Sequence, residues 1–179
     1  MERKTLKETI YLEQVRNNLK EIHFDASVHL FLNKRVGLSM IRTLVEKIDM
    51  LINRKFIGRD YNNDKRKSER VRFYAFYEKT PSNGNSHLHL LVKFGLREHL
   101  PRLEQVIRQV WSKIWDGGTI GRVQMNANHI VDNQRRDRAH KRNNNKKFSS
   151  FTDQDIWFQI NYYTKDLRSE TFFPSRGWE

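Results

Sequence analysis

His87 and His89 stand one residue apart in the stretch SHLHLLVKF, whose alternating pattern reads as a β-strand. Successive strand side chains point to opposite faces, so histidines at this spacing share a face and can share a metal ion. Glu78 lies nine residues before His87, across a run rich in turn formers (Pro81, Asn83, Gly84, Asn85), and a hairpin brings it back beside them. The three make a Glu/His/His donor set. Far along the chain, Tyr162 and Lys165 stand at i and i+3 in a helical stretch and project from one side of it. A phenol, with a pKa of about 10 in water, is a weak nucleophile until a nearby cation or base acts on its proton. A metal and Lys165 can supply that charge. Tyr163 falls on the apolar stripe of the same helix with Ile156, Ile160 and Leu167 and reads as a packing residue.

The elements that must position these groups follow from periodicity. Thr5 to Ile22 has loose helical spacing and reads as a surface helix. Ala26 to Asn33 alternates, with Val28, Leu30 and Leu32 facing one way and Ser27, His29, Phe31 and Asn33 the other. Gly37 to Arg54 carries a clean apolar stripe from Ile41 to Ile52, with Ser39 as a candidate cap, and Glu98 to Trp115 a second stripe closed by Gly117-Gly118. Between them, Arg59 to Arg70 has no periodicity and reads as a solvated loop. Val71 to Glu78 and the histidine strand follow, and Gly121 to Val131 alternates once more. Thr152, with Asp153 and Asp155, begins the tyrosine helix, which runs to about Leu167. The order strand, helix, strand, strand, helix, strand implies an α+β fold: a central antiparallel sheet with helices packed on one face, ferredoxin-like or RNA-recognition-like. His29 either takes part in binding a partner or the metal shell, or is an incidental strand histidine. The tryptophans Trp111, Trp115, Trp157 and Trp178 read as packing residues rather than base-stacking ones.

Composition narrows the partner. With 34 Lys and Arg against 21 Asp and Glu, the formal charge is +13, and aromatic residues make up 12% of the chain. Basic charge combined with aromatics is the signature of a nucleic-acid partner. The open sheet face offers Arg72 and Tyr74 on one strand and Arg122, Gln124 and Asn126 on another as nucleic-acid contacts, with Asn33 beside them. Residues 134–147 form a basic loop in which Arg135, Arg136, Arg138, Lys141 and Arg142 are candidate phosphate contacts. Zero cysteines exclude thiolate zinc sites and a cysteine nucleophile. No apolar run approaches the ~18 residues of a membrane span and no signal core opens the chain, so a soluble, cytoplasmic protein without a membrane partner is expected. One domain over 1–179 is expected as well.

Three ordered motifs, Leu30-Phe31-Leu32-Asn33, His87-Leu88-His89 preceded by Glu78, and Tyr162-Tyr163-Thr164-Lys165, resemble those of the HUH endonucleases, specifically the single-tyrosine initiators of rolling-circle replication. The resemblance implies that Glu78, His87 and His89 hold Mn²⁺ or Mg²⁺ and that Tyr162 attacks a phosphate of single-stranded DNA. It further implies a 5′-phosphotyrosine link and a free 3′-OH, with Lys165 orienting the phosphate or metal shell. The implied substrate is a replication origin, often a hairpin, with helicase and polymerase supplied in trans, because the chain has no G-x-x-x-x-G-K phosphate loop. Asp166 stands where compact transposases of the same chemistry often carry glutamine, which favours an initiator over a transposase. A non-catalytic RNA-recognition-like binding module and a hydrolytic phosphodiesterase are the other readings.

Overall fold

The period-two stretches become strands. The computed structural model describes residues 6–79, 86–126, 150–164 and 171–175. In it β1 (Ala26–Phe31), β2 (Arg72–Lys79), β3 (Ser86–Lys93) and β4 (Thr119–Asn126) join the short β5 (Ser150–Phe151) and β6 (Phe172–Pro174) in one sheet ordered β5-β4-β1-β3-β2-β6. All neighbours are antiparallel except β4 and β5. Among the described residues four α-helices accompany the sheet: α1 (Leu6–Lys20), α2 (Leu38–Phe56), α3 (Leu103–Ile114) and α4 (Asp153–Thr164). The chain is therefore α+β around a mainly antiparallel sheet. Among the described residues, no helix is long and apolar enough to cross a membrane.

The main core lies where the two stripes meet one sheet face. Ile41, Val45 and Ile48 of α2 and Val106, Ile107 and Val110 of α3 pack with Val28, Leu30, Leu88 and Leu90. Each such side chain contributes about 1.5–3 kcal/mol when fully buried. The opposite face is not left open, which corrects the expectation of helices on one face. Phe76 and Leu91 point to that side as a small apolar patch, and they are covered by Leu12 and Leu19 of α1 and Ile156 and Ile160 of α4. Leaving these large apolar groups in water would cost more than bringing two helices over them. The first helix, expected as a surface helix, is mostly exposed but packs this second core through Leu12 and Leu19.

Three local expectations also change. Residues 59–70, expected as a solvated loop, are mostly exposed but are ordered as two 3-10 segments, Arg59–Asn62 and Asp64–Glu69. Their hold comes from tertiary hydrogen bonds: Arg66 donates to the Ile57 carbonyl at 2.7 Å, Arg70 donates to that of Tyr61 at 2.7 Å, and Tyr61 is buried. Ser39 does not cap α2; Gly37 occupies that position without a side-chain bond, and Ser39 lies inside the helix. The third helical stretch opens as a 3-10 segment, Arg97–Arg102, where Pro101 lacks the N–H an α-helix would use, and becomes α-helical at Leu103.

α4 is secured at both ends. Its start is a reciprocal cap: the Thr152 N–H and hydroxyl both donate to Asp155 Oδ2, at 2.7 and 2.8 Å, and the Asp155 N–H donates back to the Thr152 hydroxyl at 3.3 Å. These bonds hold the Asp155 carboxyl below its usual range. At the other end, Arg16 of α1 donates to the Thr164 hydroxyl at 2.7 Å and to its carbonyl at 3.3 Å, placing a cation against the negative end of the helix. Arg16→Ala is expected to lower the unfolding free energy by about 1–3 kcal/mol, read as a shift in urea midpoint. An unchanged midpoint would mean that α1 holds α4 by apolar contact alone.

Candidate active site

β1 and β3 pair with His29 opposite His89, and β2 and β3 pair with Glu78 opposite His87, so four polar side chains share one patch of the sheet. Alternation sends all four to the side away from the main core. The antiparallel pairing of the Glu78 and His87 strands is borne out by this register, while residues 80–85, where the turn was expected, lie outside the described residues.

Rings build the patch. His29 lies between the two predicted histidines, with centroids 4.1 Å from His89 and 5.0 Å from His87, whereas His87 and His89 are 6.3 Å apart. Phe31 backs His29 at 4.5 Å, and on the far side Tyr163 of α4 stacks on His89 at 4.3 Å. Gly121 on β4 leaves room for Phe31: a Cβ there would run into the ring. Burial pushes the imidazoles of His89 and His29 down to about 4, with the neighbouring imidazoles adding to the effect. Both rings are neutral at neutral pH, which leaves each one nitrogen lone pair.

The carboxylate of Glu78 is where the two distant groups meet. His89 Nε2 is 3.0 Å from Glu78 Oε2, and the Tyr162 hydroxyl donates to Glu78 Oε1 at 3.2 Å. Tyr162 is half exposed at the rim, while Tyr163 is packed in the second core. Burial raises the Tyr163 phenol above its ordinary value and keeps it protonated. The helical phase that separates these neighbouring tyrosines into one packing and one presenting residue is the one read from sequence.

As metal donors, the predicted set is partly assembled. Neutral imidazole and carboxylate suit a borderline divalent cation. His89 also has a buried Nδ1 without a hydrogen-bond partner. A His89 protonated at Nε2 leaves that atom a bare lone pair; one protonated at Nδ1 turns an Nε2 lone pair on Glu78, a clash that a cation between them relieves. Glu78 and His89 thus fit a cation, with His87 beside them. His87 Nδ1, however, lies 2.8 Å from His29 Nε2, and among the described residues no three His, Asp or Glu side chains converge as a finished metal cluster.

The predicted DNA contacts are distributed unevenly. Asn33 is past the end of β1 at φ 51°, donating to the Gly117 carbonyl at 3.0 Å and accepting from Trp115 Nε1 at 3.2 Å, so it fastens a turn rather than facing the patch. Tyr74 lies flat on Phe172 at 5.1 Å within the second core. Arg72 opens β2 opposite Lys93. Gln124 accepts from Gln159 of α4 at 3.2 Å, tying that helix to β4. Arg122 and Asn126 lie on β4, but their side chains are outside the described residues, as are Lys165, Arg135, Arg136, Arg138, Lys141 and Arg142. Trp111 and Trp115 are buried, whereas Trp157 is 50% exposed, against the packing expectation; Trp178 lies outside the described residues. Phe158, which sequence reading passed over, is 68% exposed one turn before Tyr162.

The two depressed imidazoles give a pH signature. Unfolded, each titrates near 6.5; folded, each resists protonation until about 4. Between those values the unfolded chain binds more protons, so stability falls as pH is lowered from 7 to 4. Urea unfolding of the metal-free protein is expected to show this slope, shallower in His29→Phe; a flat profile would mean that the rings are not buried as described. Compared with known proteins, the chain matches no family model, no curated protein and no solved structure.

Proposed function

We propose that the chain is a metal-dependent enzyme that nicks and rejoins single-stranded DNA, an HUH-type initiator of rolling-circle replication with Tyr162 as nucleophile. The observation that carries the reading is the contact of Tyr162 with Glu78, whose other carboxylate oxygen faces His89. Residues 84 positions apart meet there, and they are the ones the three motifs single out. The inner strand order β4-β1-β3-β2, with α2 and α3 as crossovers on one face, supports the ferredoxin-like form of this fold.

In this reading Glu78, His89 and His87 hold Mn²⁺ or Mg²⁺, which supplies Lewis-acid neutralisation of charge on the phosphate. Glu78 Oε1 accepts the proton of the Tyr162 hydroxyl as the phenolic oxygen bonds to phosphorus. The P–O3′ bond breaks, and the departing oxygen takes a proton from water to become a 3′-OH. The tyrosyl ester keeps the phosphodiester bond energy, so a later 3′-OH reverses the step and rejoins the strand. Lys165 orients the phosphate, and Phe158 offers a flat face to a base beside it. The strand acted on is a single-stranded origin, with helicase and polymerase supplied by other proteins.

The exposed Phe158 favours one other reading, a binding module for single strands that performs no chemistry. Incubation with single-stranded DNA and Mn²⁺ separates the two. A denaturant-resistant adduct is expected, lost in Tyr162→Phe and kept in Tyr163→Phe; no adduct on any strand would favour the module. Phe158→Ala is expected to weaken single-strand binding by about 1–3 kcal/mol in an anisotropy titration, and wild-type affinity would remove it from the DNA path.

A further inference from the structure

We propose that Gln159 is a positioning residue for the phenol of Tyr162: by tying α4 to β4 it holds the rotation of the helix at which that phenol meets Glu78. The inference rests on the nicking reading for its kinetic consequence, while the placement itself can be read without any reaction. α4 lies on the sheet along a line of contact through Ile156 and Ile160, four residues apart and on one side of the helix. A helix held along one line can roll about it. At a radius of about 5–6 Å, a roll of about 30° carries the tip of a side chain through roughly 3 Å. That is comparable with the whole 3.2 Å contact between the Tyr162 hydroxyl and Glu78.

Contacts on both flanks of the line oppose the roll. Successive residues turn by about 100°, so Thr164 falls on one flank and Gln159 on the other, the one nearer Tyr162. Thr164 takes the bonds from Arg16 of α1. Gln159 donates from Nε2 to Gln124 Oε1 of β4 at 3.2 Å, and its own Oε1 accepts from the Tyr163 hydroxyl at 3.4 Å. The two ends of one amide thus join the sheet to the ring that stacks on His89. Gln124 faces this layer because it pairs with Ser27 of β1, and Ser27 shares its face with His29.

A residue that only filled space at position 159 could be exchanged for methionine without consequence at Tyr162. Gln159→Met keeps the length of the side chain and removes both bonds, whereas Gln159→Glu keeps an acceptor for Tyr163 and, once the Gln124 amide turns over, one for Gln124. Full-length protein carrying 3-fluorotyrosine at position 162 reports the contact without DNA or metal, after circular dichroism confirms that every variant is folded. Its fluorine resonance is expected to shift on Glu78→Gln, and this response to be lost in Gln159→Met and kept in Gln159→Glu. In single-turnover reactions with single-stranded DNA and Mn²⁺, the rate constant of adduct formation is expected to fall about 10–100-fold in Gln159→Met at unchanged strand affinity, and to recover in Gln159→Glu. A full fluorine response in Gln159→Met, or none in the parent protein, would overturn the proposal, as would weaker strand affinity with an unchanged rate constant. If no form of the protein made an adduct, the nicking reading would fall, and the fluorine comparison would still decide whether Gln159 places Tyr162.

Discussion

The stacking of Tyr163 on His89, with ring centroids 4.3 Å apart, is the contact on which the site depends. α4 has no covalent tie to the hairpin that carries Glu78, and its ends are fastened elsewhere, to Arg16 at one and to its own cap at the other. The packing of its apolar stripe, with the bond from Gln159 to Gln124 of β4, brings it over the sheet. Ile156 and Ile160 fix its height above Phe76 and Leu91, and Tyr163 fixes its rotation by lying on the imidazole. Once Tyr163 is seated, the next residue back is turned by about 100° and arrives at the carboxylate of Glu78. The packing tyrosine sets the position of the presenting one.

This arrangement buries histidines that would be better solvated if they were charged. Their neutrality at neutral pH is the consequence, and it is also what a metal donor or a neutral hydrogen-bonding partner requires. The column Phe31, His29, His89, Tyr163 and Phe76 crosses three strands and a helix. It makes one half of the sheet face apolar enough to dock α1 and α4 while leaving Glu78 and Tyr162 at its rim. The N-terminal helix therefore bears on the proposed chemistry indirectly, as the support of the helix that carries the phenol.

Much of this was legible in the residues themselves. Period-two alternation set the four main strands and the shared face of Glu78, His87 and His89, and period 3.6 separated Tyr162 from Tyr163. The role of His29 was open, because a lone strand histidine gains meaning only from its cross-strand partner, and register is a tertiary property. Asn33 alternates as a sheet residue but is taken over by the turn at Gly117, and the 3-10 segments after α2 depend on Arg66 and Arg70 reaching carbonyls that no local pattern announces. The second helical layer was missed for a similar reason. Phe76 and Leu91, taken singly, look like exceptions on a polar face, and only side by side on neighbouring strands do they form a patch large enough to need cover.

The central claim is that the phenol at Glu78, not its packed neighbour, attacks the phosphate. Mass spectrometry of the peptide that remains attached to DNA after proteolysis of a Mn²⁺ reaction tests it most directly. The expected result is a nucleotide remnant on Tyr162. A remnant on Tyr163, or on any residue away from the Glu78 carboxylate, would contradict it.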